Sequence, residues 1–162
     1  MSNTIYLTLN GAKQGFISAE CCSEASVGDK AQPAHLDQIM VYSLTHLLSR
    51  DQDINHHEIV ITKPIDKSSP LLLKAIAEYE LMTTCDFVFY REDKDGGKEK
   101  YYAIKLENAR ITRSSIITSP PAEEKEMKIQ EELAFIYESI TWEHMLTGTS
   151  AKGVWEEAAS DM

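Results

Sequence analysis

Thr84–Glu107 reads TCDFVFYREDKDGGKEKYYAIKLE. Two runs rich in β-branched and aromatic residues, Thr84–Arg91 and Glu99–Glu107, flank the polar stretch Glu92–Lys98. Within that stretch Asp95-Gly96-Gly97 offers residues that accept a left-handed backbone at little cost. The pattern predicts an antiparallel hairpin and sets the expectation for the whole chain, which is mainly β.

Working outward, Pro70–Leu81 is the one clear helical segment. Ser69 can cap it, Pro70 suits the first helical position, and Leu72, Ala75, Ile76 and Tyr79 fall on one face. Glu58–Lys63 upstream reads as a strand that Pro64 ends. Ile39–Leu48 reads as another strand, and the polar Ser49–Asn55 as a loop. At the N-terminus, Thr4–Leu9 alternates apolar and polar residues, Asn10-Gly11 turns the chain, and Gly15–Ser18 returns. Glu24–Pro33 is polar and irregular. Downstream, Arg110–Thr118 is a strand and Ser119–Lys128 an acidic, proline-bearing loop. Glu132–Met145 is expected to be one long strand with two apolar faces, Leu133, Phe135 and Tyr137 on one and Ile136, Ile140 and Trp142 on the other. Thr147–Met162 reads as a flexible tail from which Val154-Trp155 could dock. The sum is a small β-barrel of two sheets with one flanking α-helix, spanning residues 1–146, followed by the tail 147–162.

The chain has 162 residues, enough to bury a core without a metal or disulfide staple. A formal charge of −10, spread along the sequence, argues against nucleic acid and against an anionic membrane surface as partners. Cys21, Cys22 and Cys85 are an odd set with no disulfide spacing, which suggests folding in a reducing cytoplasm. The N-terminal MSNTIYLTLNG shows neither the basic nor the apolar region of a signal peptide, and no apolar run approaches a membrane span.

The chain carries no GxSxG, HExxH, Walker A, GxGxxG or CxxC. His56-His57-Glu58, with His35 and His46 upstream, is the most metal-like group, yet neighbouring residues on a strand point to opposite faces and share one ion poorly. Cys85, in an apolar strand, reads as a small buried hydrophobe rather than a nucleophile. Asp66-Lys67-Ser68-Ser69-Pro70 is accounted for by turn and capping chemistry. Glu138 and Glu143 among apolar residues could suggest a carboxylate pair for glycoside hydrolysis, but no stacking groove accompanies them and interface ion pairs suit them better. No catalytic residue, metal or cofactor is expected.

Four segments in order carry a resemblance: Ile61–Ile76 (ITKPIDKSSPLLLKAI), Phe87–Arg91 (FVFYR), Lys100–Ile111 (KYYAIKLENARI) and Glu132–His144 (ELAFIYESITWEH). Tyr6–Gly11 and His35–Arg50 fit the remainder. Over roughly residues 4–146 the chain resembles the Hcp (haemolysin-coregulated protein) family of type VI secretion systems. The resemblance implies a β-barrel subunit forming hexameric rings that stack into a tube. A contractile sheath propels that tube, a spike protein tips it, and its lumen can carry or chaperone effector proteins. It implies a protein made in the bacterial cytoplasm and exported without a signal peptide. About 16 residues follow the barrel segment, too few for an added toxin domain. The implied role is structural rather than enzymatic, a stand-alone secreted effector or toxin being the alternative. Ring contacts are expected from a charged arm over Ser49–His57, with Arg50, Asp51, His56 and His57, and from the hairpin tip at Gly96 and Gly97.

Overall fold

A computed structural model describes residues 3–119 and 128–155. In chain order the elements are β1 (Thr4–Gly11), β2 (Gly15–Phe16), α1 (Glu24–Val27), β3 (Ile39–Val41), β4 (Ser43–Thr45), β5 (Leu48–Arg50), β6 (Ile54–His56) and β7 (Ile59–Lys63). They continue with α2 (Ser69–Ala77), β8 (Met82–Glu92), β9 (Lys98–Glu107), β10 (Arg110–Ser119), β11 (Lys128–Ile136), β12 (Ser139–His144) and β13 (Thr149–Val154). The large sheet runs β13-β12-β9-β8-β1-β2, with β3 also on β1, and the small sheet runs β10-β11-β7-β4. β5 and β6 pair only with each other. The protein is mainly β, with two sheets and a flanking helix; among the described residues the two ladders face each other rather than joining into one closed circuit.

The sheets meet through their alternating apolar faces. Leu7, Leu9, Cys85, Phe87 and Leu106 from the large sheet face Ile59, Ile61, Leu133 and Phe135 from the small one, all buried. Phe87 and Phe135 meet edge to face with centroids 5.6 Å apart. Each such side chain contributes about 1.5–3 kcal/mol by leaving water. Leu72 and Ala75 of α2 join the same core.

The hairpin that set the fold class is present, with β8 and β9 paired from Cys85↔Leu106 to Glu92↔Lys98. Elsewhere the chain departs from its sequence pattern in instructive ways. Ile39–Leu48 is three short strands rather than one. Ile39 and Val41 pair with β1, the chain crosses at Tyr42, whose N–H bonds Thr62, and Ser43–Thr45 pair with β7. No glycine or proline marks that change of sheet, so the run looks continuous.

Glu132–Met145 is likewise divided. β11 lies in the small sheet and β12 in the large one, with Tyr137-Glu138 between them. This explains the two apolar faces: Leu133, Phe135 and Tyr137 point into the core, and beyond the corner so does Ile140. The alternation slips from odd to even positions at the corner, so Ile140 and Trp142 of the second expected face meet the same core, while Ile136 stays outside it.

Ser49–Asn55 is not a loop but most of a hairpin, with Leu48↔His56 and Arg50↔Ile54 in register. The tail expected from Thr147 is not loose through Trp155. Gly148, at φ +76°, turns the chain so that Thr149–Val154 pairs along all of β12. Residues 156–162, and residues 120–127 of the expected acidic loop, lie outside the described residues. The returning strand after Asn10-Gly11 shortens to Gly15–Phe16, and Glu24–Pro33 holds α1 and 3₁₀ turns. α2 stops before Leu81 because Tyr79 is left-handed, at φ 49°. Its ring lies under the Arg110 guanidinium, 4.3 Å away, instead of in the core.

Candidate functional site

Of the six residues expected at ring contacts, Arg50, Asp51 and His56 lie on the β5–β6 hairpin and His57 directly follows it. At its tip the Asp51 carboxylate accepts the Asp53 N–H at 3.1 Å. The N–H groups of Asp53 and Gln52 hold that carboxyl below the usual carboxylate range. Arg50 and Asp51 are exposed. His57 is exposed too, with Nε2 3.3 Å from the Ser49 hydroxyl. His56 points the other way, as alternation requires. Its Nδ1 lies 2.9 Å from the Tyr137 hydroxyl and its ring stacks on Trp155. The arm therefore offers Arg50, Asp51 and His57 outward and uses His56 as its root. Between it and β13 is a cleft of about 500 Å³ whose lining includes Arg50, Asp53, His56 and Trp155.

Gly96 and Gly97 belong to a different element, the turn joining β8 to β9. Gly96 has φ +86°, so the left-handed position falls there. The brace of this turn is Asp93, which the sequence pattern did not single out. Asp93 Oδ1 accepts the N–H groups of Asp95 at 2.8 Å and Gly97 at 2.9 Å. A Cβ on Gly97 would stand 2.9 Å from Asp93 Oδ2, so the second glycine serves close approach rather than backbone handedness.

Ile61–Ile76 hides a polar centre that turn chemistry alone did not reveal. Lys63 is fully buried. Its Nζ donates to Glu131 Oε1, to Asp66 Oδ1 at 3.0 Å and to the Pro64 carbonyl at 2.9 Å. Ser69 donates to the same Glu131 oxygen at 2.7 Å, and Ser68 bonds Asp66 through both N–H and hydroxyl. This group ties β7, the entry to α2, and β11 together. The sequence offers half of the signal, since Ile59, Ile61 and Lys63 share one strand face; the other half, Glu131 as the register partner of Lys63, appears only in the structure. Such burial requires partners, since an unpaired charge in the core is costly.

Glu80 does similar work at the N-terminal turn. It is buried and accepts the N–H groups of Lys13 at 3.0 Å and Gln14 at 2.8 Å. Burial alone would raise its pKa, but those N–H donors outweigh it and leave the carboxyl below its ordinary value. Gly11 permits this approach, because a Cβ there would collide with the Glu80 carboxylate.

The thiols are buried and free. Burial, then the nearby Asp66 carboxylate, pushes Cys21 up to about 12, and burial raises Cys22 and Cys85 as well. These are packing residues, not thiolate nucleophiles. Glu138 accepts the Asn108 amide at 2.6 Å and Glu143 pairs with Lys105 at 3.7 Å, so each is engaged in a surface contact. The arm and the hairpin tip are thus both exposed elements on a body with a charge-paired centre.

Comparison with known proteins agrees with this architecture. A family model described as "Type VI secretion system effector, Hcp" matches residues 6–144. The "Major exported protein" of Pseudomonas aeruginosa is 34% identical, over 96% of each chain. The structure of "Secreted protein Hcp3 from Pseudomonas aeruginosa" superposes with a TM-score of 0.86 at 35% identity, covering 95% of this chain and 99% of the other. A crystal structure of an Hcp protein gives a TM-score of 0.89 at 28% identity, covering 95% of this chain and 98% of the other. With the match running through both sheets, α2, the arm and the hairpin, the chain belongs to the Hcp family of type VI secretion proteins.

Proposed function

We propose that this chain is a structural, non-enzymatic tube subunit of a type VI secretion system, forming hexameric rings that stack into an exported tube. The observation that carries this reading is the β5–β6 arm, a hairpin that belongs to neither sheet and turns Arg50, Asp51 and His57 outward. Isolated two-stranded hairpins are marginal in water, so an arm of this kind gains by lying against another surface. Opposite charges at its tip set register with a neighbouring ring, and like charges reject wrong registers. Gly96 and Gly97 form a second contact at the hairpin tip. Spike and sheath proteins are the further partners, the lumen carries effectors, and export from the cytoplasm proceeds without a signal peptide.

The test is light scattering and electron microscopy on the purified chain and on a variant whose Arg50–Asn55 is replaced by a short glycine turn. The expected result is hexameric rings for the parent and a folded barrel with weakened assembly for the variant. A parent that stays monomeric at high concentration overturns the reading. A variant that assembles normally removes the arm from it.

A further inference from the structure

The Tyr137 hydroxyl is a meeting point of separate segments. His56 Nδ1, on β6, lies 2.9 Å away and His46 Nε2, between β4 and β5, lies 3.4 Å away. The His57 carbonyl is 3.5 Å from the same oxygen. A phenol donates one hydrogen bond and accepts two: its O–H can go to His56 Nδ1 or to the His57 carbonyl, and its lone pairs can take an imidazole N–H, so a neutral His56 can receive the proton at the shortest contact while His46 gives its N–H. Rings enclose it. His56 stacks on Trp155 with centroids 6.0 Å apart, His46 leans over Trp142 at 6.0 Å, and Trp155 meets Tyr137 edge on at 5.0 Å. Gly153 of β13 comes so near that a Cβ would lie 3.1 Å from Trp142 and 3.2 Å from His56. The arm, which pairs with neither sheet, therefore reaches the body through this cluster, and β13, already paired along β12, packs its last residues against it.

We propose that His46, Tyr137 and His56 form an acid-sensitive clasp, which holds the β5–β6 arm against the body and β13 while both imidazoles are neutral, and which frees the arm and loosens β13 on β12 when the rings are protonated. Two imidazolium ions would face one oxygen across a partly dry junction, where like charges repel strongly. His57, next in sequence, adds a third imidazole, and Arg50 adds a cation to the cleft beside His56. Against them stand the Asp53 carboxylate in the same cleft and the Val154 backbone, whose hydrogen bond favours the charged form of His56. The charged residues on the adjoining strands are engaged elsewhere: Glu143 with Lys105, and Lys152 with Glu107. Glu138, next to Tyr137, accepts the Asn108 amide.

The electrostatics agree. Burial, then His56 and His57, lowers the pKa of His46, and burial outweighs the Val154 bond to lower that of His56. A base held below its unfolded value binds protons less readily in the folded state. The clasp is thus at full strength above about pH 6.5, weakens as pH falls below that value, and stops weakening once pH passes the folded values. The device resides in the single chain and does not depend on the tube reading.

Both tryptophans of the chain, Trp142 and Trp155, sit in the cluster, so intrinsic fluorescence reports on it directly. The full chain is titrated from about pH 8 to about pH 5, following tryptophan emission and amide hydrogen exchange. A reversible emission change with a midpoint below 6.5 is expected. Amides of Leu48–His56 and Thr149–Val154 should then exchange at least about tenfold faster while β8 and β9 stay protected. The His46→Gln/His56→Gln variant should lose the transition. Should that variant not fold, NMR titration of the parent's imidazoles decides, with both midpoints expected below 6.5. The proposal is overturned by a flat titration of the parent, by a transition that survives in the folded double variant, or by imidazole midpoints at or above 6.5.

Discussion

Two polar junctions hold this molecule together, and they are built on opposite terms. At Lys63, Asp66 and Glu131 every member is buried and the contacts are charge-assisted, joining the two central strands of the small sheet to α2. At His46, Tyr137 and His56 only the phenol is fully buried, and neutral rings join peripheral pieces, the arm and the last strand. The first junction cannot open without exposing charges inside the core, so it should open only with global unfolding. The second can exchange its hydrogen bonds for water at the molecular edge, so it should open locally and earlier. Burial, more than the number of contacts, separates the rigid body from its movable parts.

The largest expected effect breaks the first junction. Lys63→Met leaves Asp66 and Glu131 buried without their shared donor and should cost about 3–5 kcal/mol, read as a lowered urea midpoint. Adding Glu131→Leu should recover part of that loss, because a matched apolar pair replaces a stranded carboxylate. A double variant less stable than Lys63→Met alone would show that Glu131 is held mainly by Ser69, which also donates to it, and would break the comparison on its strong side.

Tyr137→Phe comes next. It keeps the buried ring and removes the oxygen that both imidazoles approach. The loss should be about 1–3 kcal/mol, the range for leaving partners of a removed group unsatisfied. It should appear first as faster hydrogen exchange over Leu48–His56 and Thr149–Val154, with β8 and β9 unaffected. A uniform loss of protection would mean that the arm unfolds with the core, and the two junctions would not differ in kind.

The rigid body was far more legible in the sequence than the edges. Alternation around a glycine turn sufficed for β8 and β9, and proline and apolar spacing sufficed for α2, because each signal is local. The corners at Tyr42 and Tyr137-Glu138 left no local mark, since β-branched and aromatic residues continue through them while the partner strand changes. At Tyr137 the slip of core positions from Phe135 and Tyr137 to Ile140 is present in the sequence, where it looks like a second apolar face. The arm and β13 were hidden for another reason. Their sequences, SRDQDIN and TSAKGV, are polar, and their pairing depends on distant rings that propensity does not record. At the candidate site, Arg50, Asp51 and His57 are exposed, whereas His56 faces the body. Asp93 and Lys63 were missed because a brace and a buried cation look like ordinary surface charge until register is known.

The smallest effect tests whether burial orders the series. Asp93 accepts hydrogen bonds as short as those Lys63 gives to Asp66 and the Pro64 carbonyl, 2.8 Å from the Asp95 N–H and 2.9 Å from the Gly97 N–H, but at an exposed turn. Asp93→Ala frees two backbone donors that water can reach at once, so no buried group is orphaned. The loss should stay within about 0.5–1.5 kcal/mol, the net worth of an ordinary hydrogen bond. Asp93→Asn keeps an acceptor oxygen and should recover most of it, which separates the hydrogen bonds from the carboxylate charge. Chemical denaturation gives the global figure, and amide exchange at Asp95 and Gly97 gives the local one. If Asp93→Ala proves as costly as Tyr137→Phe, then the geometry of a turn matters as much as burial, and the scale running from Lys63 through Tyr137 to Asp93 does not hold.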